Sequence, residues 1–178
     1  MAVTAFTSTD ELLRTLDGLH DEPSDDVVPA LPHLLQTAER LAEAADDDAE
    51  LVAAGLVHDL ASSLLPGCAD PGGVGAVLVT PLLGDQVARL VAGHTDAKQY
   101  LVTVQPDYDA GLSANSTFTL IGQGGPMTEA EVTAFEQHPD FAALVALRRA
   151  DDAAKVLGLS VSPPESWRPL LEHVAAHR

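Results

Sequence analysis

The sequence predicts an all-α fold. Apolar residues recur at helical intervals through most of the chain, Ser, Thr or Asp stands where several of these segments open, and no segment shows sustained period-two alternation bounded by hairpin turns. Ser8 and Glu11 have capping-box spacing and Leu12, Leu13 and Leu16 follow, which predicts a short helix from Thr9 to Leu19. His20 to Asp26 clusters turn formers and carboxylates and reads as a loop. Leu31, Leu34, Leu35, Ala38 and Leu41 place the next helix at 30–45, with Glu39, Arg40 and Glu43 opposite and His33 inside the apolar register. Asp46 to Asp48 supply caps for a helix from Ala49 to Leu64, almost wholly apolar until His58-Asp59 and therefore expected at the centre. Pro66-Gly67 ends it. Asp70-Pro-Gly-Gly73 opens a segment from Val74 to Thr80, and Gly84 to His94 reads as another helix, with Thr95 to Leu101 extending it or beginning a new one. Gln105 to Asn115 is turn-rich and Gly122 to Pro126 is a break; helices are expected at 128–137, 139–157 and 165–177.

The chain has 178 residues, 46% of them hydrophobic, and a mean hydropathy of +0.10, enough for one domain spanning 1–178. Against 27 Asp and Glu there are 9 Lys and Arg, a formal net charge of −18. That balance excludes nucleic acid and an anionic membrane surface as partners, and any anionic substrate requires a local exception. Cys68 is the only cysteine, so a disulfide framework is excluded. The first ten residues have no basic segment and no long apolar run, and the longest unbroken apolar stretches fall short of the roughly 20 residues a spanning helix needs. The expectation is a soluble, cytoplasmic protein with no membrane partner; the oligomeric state stays open.

His58-Asp59 carries the first chemical signal. A nitrogen and an oxygen donor side by side in an apolar helix are costly unless something binds them, and the mixture suits iron, manganese, zinc or cobalt. The alternative is a helix-end Asp beside a hydrogen-bonded core His. Three further segments extend the set: His33, His94, and Arg148-Arg-Ala-Asp151-Asp-Ala-Ala-Lys155.

The order His33, His58-Asp59, His94, Asp151 across successive helices resembles the HD-domain superfamily of metal-dependent phosphohydrolases and oxygenases. Six segments narrow the resemblance: Leu31-Pro-His33-Leu-Leu-Gln36-Thr-Ala38, Leu51 to Asp59, His94-Thr-Asp-Ala-Lys98-Gln-Tyr100-Leu101, Leu112-Ser113-Ala-Asn-Ser116, Gln123-Gly-Gly-Pro-Met127 and Leu147 to Lys155. Together they resemble the small HD-domain diiron oxygenases related to the phosphonate-cleaving enzymes and, more distantly, myo-inositol oxygenase, over a motif-bearing core of about 26–157. The resemblance implies an HD-domain helical bundle. It implies one iron held by His33, His58, Asp59 and Asp151, Asp59 bridging to a second iron that His94 helps bind, and O2 as co-substrate. It also implies Lys98 as a catalytic and substrate-contacting residue, with Arg148, Ser113, Ser116 and the lid acid Asp26 as further contacts to a small polar or anionic metabolite. Asp151 is preferred to Asp152 for its spacing to Lys155, and Asp152 reads as a solvated helical carboxylate.

Three positions depart from the family pattern. The family continues His-Asp with Ile-Gly-His, where this chain has Leu60-Ala61-Ser62; Pro71 stands where the next metal histidine opens a His-Glu-x-x-Gly-Ala segment; and Pro23 replaces a lid tyrosine, so specificity for phosphonates is not expected to carry over. Asp70, before Pro-Gly-Gly, reads as a turn residue. The expectation is an iron oxygenase of the HD branch holding one or two metal ions, with a mononuclear site the conservative reading because one metal histidine is missing. The alternatives are a mononuclear HD phosphohydrolase and a noncatalytic HD-domain binding protein.

Overall fold

In a computed structural model that describes residues 4–20, 27–44 and 48–178, Ser8 opens the first helix by accepting from the Glu11 amide at 3.3 Å. The helices run α1 (Thr9–Gly18), α2 (Ala30–Ala44), α3 (Ala49–Val57), α4 (Leu60–Leu64), α5 (Pro71–Val104), α6 (Ala114–Gly122), α7 (Glu129–Glu136), α8 (Phe141–Ala153) and α9 (Arg168–His177), with no strand among the described residues. Asp26 and Pro23 lie outside the described residues.

The apolar α3 is central, as its composition demands, packed between α2 and α5, while α8 closes against both α2 and α5. Leu34, Leu35, Leu56, Leu60, Leu83, Leu90, Leu144 and Leu147 are fully buried between these elements. Gly55 sets the α2–α3 spacing: a Cβ there would fall 2.7 Å from Leu41 Cδ1 and 3.2 Å from the Ala38 Cα. That close approach brings the His33 and His58 rings to a centroid separation of 5.2 Å. α9 packs against α1, α3 and α5.

Four expectations are corrected. The helix expected from Ala49 to Leu64 breaks at His58-Asp59, where Asp59 leaves helical geometry (φ −112°, ψ 14°) before α4 begins. Adjacent residues of an unbroken helix point about 100° apart; the break turns both side chains to one side. The segments at 74–80 and 84–94 belong to one long helix, α5, kinked at Gly84 (φ 80°). Arg178 Nη1 donates there to the Pro81 and Leu82 carbonyls, taking up acceptors that the kink frees. By length and composition α5 would cross a membrane, but it is here a core helix in contact with α3, α4, α7, α8 and α9. The segment before Gly122 forms a helix of its own, α6, opened by Ser113, which accepts from the Ser116 amide at 3.1 Å. Finally, the helix expected to reach Leu157 stops at Ala153, because the residues beyond it bond across to α2.

Candidate metal centre

Three helices and the break after α3 deliver the donors. His33 comes from α2, His58 and Asp59 from the break, His94 from α5 and Asp151 from α8. Each histidine has its Nδ1 against a backbone carbonyl: His33 on Ala154 O at 3.0 Å, His58 on Gly55 O at 3.0 Å and His94 on Val91 O at 2.7 Å. A carbonyl only accepts, so each Nδ1 carries a proton and each Nε2 is the nitrogen left to face the interior, at His33 already bonded to Asp151. Fixing the ring this way is what metal-binding histidines require.

The Nε2 atoms meet carboxylates. His33 Nε2 lies 3.2 Å from Asp151 Oδ1, His58 Nε2 lies 4.0 Å from the same oxygen, and His94 Nε2 lies 3.9 Å from Asp59 Oδ1. His33, His58 and Asp59 each present a ligand atom within 4.8 Å of the others. Donors about 2.1 Å from a shared cation lie about 3–4 Å apart, so this set fits an ion of that size. His58 Nε2 is the decisive atom: the residue is 1% exposed, yet this nitrogen has no hydrogen-bond partner. A buried acceptor left unpaired costs about 1–3 kcal/mol, and a bound cation removes the cost.

Burial pushes the His58 pKa down to about 4, ahead of the opposing pull of Asp151 and Asp59, so the ring is neutral at pH 7. Burial also opposes ionisation of Asp151, but the Arg148 charge and the His33 hydrogen bond outweigh it and hold the carboxyl well below the usual range. For His33 burial favours the neutral ring, and the hydrogen bond and charge of Asp151 overturn that preference and raise its pKa. Two carboxylates and a neutral His58 thus stand ready for a cation, with a proton on His33 as its competitor.

Beside the donors is a cationic wall. Lys98 is 3% exposed on α5, and its Nζ donates to Thr119 Oγ1 on α6 at 2.8 Å. Among the described residues no carboxylate lies within ion-pair distance of it. Burial, followed by Arg148 repulsion, lowers its pKa to about 8. Arg148, equally buried, donates from Nη1 to Asp151 Oδ2 at 2.6 Å. Lys155 Nζ reaches Ser116 Oγ at 3.0 Å, Ser113 Oγ at 3.4 Å and Asp151 Oδ1 at 3.8 Å. Ser113, Ser116, Lys98 and Arg148 therefore stand together, with Ser113 also capping α6.

Sequence reasoning missed three residues here. Thr119 follows Ser116 by one helical turn, a signal legible only once α6 is known. Tyr108, in the turn-rich connection, accepts from Arg148 Nε at 3.1 Å. Asp152, read as solvated, is half-buried and bonded to both Arg148 and Tyr108. At the departures from the family pattern, Ser62 donates to Asp59 Oδ1 at 3.0 Å. Asp70 is exposed and caps α5, accepting from the Gly73 amide at 2.9 Å.

No family model matches the chain. It is 36% identical over 163 residues to hydroxymethylphosphonate dioxygenase of Gimesia maris, covering 86% of this chain and 81% of that protein. It is 28% identical over 170 residues to 1-hydroxy-2-(trimethylamino)ethylphosphonate dioxygenase (glycine-betaine-forming) of Leisingera caerulea, covering 88% of this chain and 85% of that one. With most of both lengths matched and the identity to the first relative above 30%, the chain belongs to the phosphonate dioxygenase family.

Proposed function

We propose that this protein is an iron-dependent oxygenase of a small phosphonate, working with one firmly held metal. Its organic substrate is then narrower than the small polar metabolite expected from sequence. The observation that carries this reading is Lys98: a buried ammonium with no carboxylate partner among the described residues, beside a cluster of metal donors, in a chain of net charge −18. Such a group is costly unless a ligand supplies the missing negative charge, and a phosphonate dianion does so.

His33, His58, Asp59 and Asp151 would hold the iron, which would supply the electrons that activate O2. The Nδ1 hydrogen bonds orient the three imidazoles beforehand, and Arg148 fixes the Asp151 carboxylate from the far side. Lys98, protonated below its pKa of about 8, offers its charge to the phosphonate oxygens. Ser116 and Thr119 add hydroxyl donors from α6, and Lys155 adds a second ammonium. Among the described residues, Asp59 and His94 are the donors offered to a second ion at this side, since Pro71 has no donor and Asp70 is engaged as a cap. The helical arrangement supports an HD-type bundle, and we read His94 as a contact to substrate or to a weakly held second ion.

The test is to supply hydroxymethylphosphonate to iron-loaded protein and follow O2 uptake and phosphate release together. Coupled uptake and release, lost in Lys98→Met, is the expected result. Phosphate release from phosphate esters without O2 would replace the proposal with a hydrolase. Failure to acquire metal under iron-replete expression would replace it with a noncatalytic binding role.

A further inference from the structure

Arg148 touches both halves of the site, and its orientation is not left to those contacts. A guanidinium carries five N–H donors in a planar fork, and its Nε/Nη2 edge is a natural bidentate face for an anion. Here that edge is filled. Nε donates to Tyr108 Oη at 3.1 Å and to Asp152 Oδ2 at 3.3 Å, and Nη2 donates to Asp152 Oδ1. The Tyr108 hydroxyl in turn donates to Asp152 Oδ2, closing a three-membered ring of hydrogen bonds. What remains is the other end of the fork: Nη1, which donates to Asp151 Oδ2 at 2.6 Å, and the second Nη2 hydrogen, which reaches Ser116 Oγ at only 3.5 Å.

We infer that Tyr108 and Asp152 are positioning residues that clamp Arg148, so that the end of its fork faces the metal-ligating Asp151 on one side and the phosphonate on the other. The phosphonate half of this inference rests on the function proposed above. Without the clamp, the vacated Nε/Nη2 edge becomes the better anion face, and the guanidinium rotates about its last side-chain bonds to use it. Asp151 then loses its 2.6 Å donor, and the anion meets a displaced charge. Tyr108 lies 40 residues before Arg148, so the clamp also ties the connection between α5 and α6 to α8. Neither residue touches the substrate; both act through Arg148.

The test uses Tyr108→Phe, Asp152→Asn and the double variant of the full chain, each also made in an Arg148→Met background, with thermal unfolding as the folding control. Two affinities are read: Co2+ for the metal-free protein, by calorimetry with the visible Co2+ spectrum, and methylphosphonate for the Co2+-loaded protein. Each single variant is expected to weaken both affinities by roughly tenfold, the scale of other groups that orient metal ligands. The double variant is expected to be no worse than the singles, and none should have any effect once Arg148 is methionine. Affinities equal to wild type with a lowered unfolding temperature, or losses that persist in the Arg148→Met background, would overturn the clamp. A wild type that binds Co2+ but no methylphosphonate would overturn the phosphonate reading alone, leaving the Co2+ comparison to decide the clamp. A wild type that binds no Co2+ would overturn both.

Discussion

Replacing Lys98 by methionine separates the cost of the ammonium from its use. Its pKa falls from an ordinary 10.5 to about 8; at about 1.4 kcal/mol per pH unit, keeping the charge buried costs on the order of 3 kcal/mol. Methionine fills a similar volume but forfeits the hydrogen bond to Thr119, worth about 1 kcal/mol. The metal-free variant should therefore be more stable than wild type by about 1–2 kcal/mol at pH 7. The sign of the pH dependence follows. Below pH 8 the lysine is charged in both states and the folded protein bears the whole penalty. Between pH 8 and 10.5 the unfolded chain holds the proton that the folded one has released, so wild-type stability gains on the variant as pH rises. Urea unfolding of both metal-free proteins at pH 7, 9 and 10 measures this gap, and calorimetry with methylphosphonate measures the accompanying loss of anion affinity, expected at tenfold or more. A Lys98→Met protein that is less stable at pH 7 and binds the anion as well as wild type would refute the reasoning, because Lys98 would then be a structural cation.

Other perturbations probe the remaining parts of the site. Among the described residues, Asp151→Asn leaves the buried Arg148 with Asp152 as its one paired carboxylate, and should cost about 3 kcal/mol in chemical denaturation and abolish stoichiometric metal binding. His58 refuses in the fold, down to about pH 4, a proton that it accepts near pH 6.5 when unfolded. Metal-free stability due to this residue should therefore decline as pH falls through that window, and a urea series across it should be flatter for His58→Leu. Because the hydrogen bond and charge of Asp151 raise the His33 pKa against its burial, metal binding should displace a proton from His33, visible as a buffer-dependent heat in Co2+ calorimetry that is smaller in His33→Gln. Gly55→Ala forces a Cβ against Leu41 and the Ala38 backbone; it should cost about 1–3 kcal/mol in urea unfolding and weaken Co2+ binding by separating α2 from α3. Gly84→Ala, by contrast, strains the α5 kink and meets Arg178. It should destabilise by a similar amount while leaving Co2+ affinity unchanged.

Periodicity located α2, whose apolar stripe faces the core, whereas α3 was located by an almost wholly apolar run behind the Asp46 to Asp48 caps and α8 by the residue that starts it. The candidate donors His33, His58 and His94 drew attention as polar residues in apolar segments, where a buried polar group is costly. The break at His58-Asp59 was not legible, since nothing in Leu56-Val-His-Asp-Leu60 opposes helix continuation; the local hydrogen bond from His58 to Gly55 and the non-helical Asp59 are properties of the folded site. α6 was hidden because its inward face is Ser116, Thr119 and Leu120, a polar stripe that does not register as amphipathic, while Phe118 and Ile121 point outward. Asp152 was misjudged from its spacing alone. An acid four residues after Arg148 on a helix is usually a surface pair, and only Tyr108, brought in from a distant turn, draws it inward.

The central claim is that His33, His58, Asp59 and Asp151 build one working metal site although the chain has no histidine at position 71. Anaerobic titration of the metal-free protein with Fe(II), read as bound iron per chain, tests it most directly. The account predicts tight binding that saturates at one iron per chain and is lost in Asp151→Asn; saturation at two equally tight irons, or no tight binding at all, would contradict it.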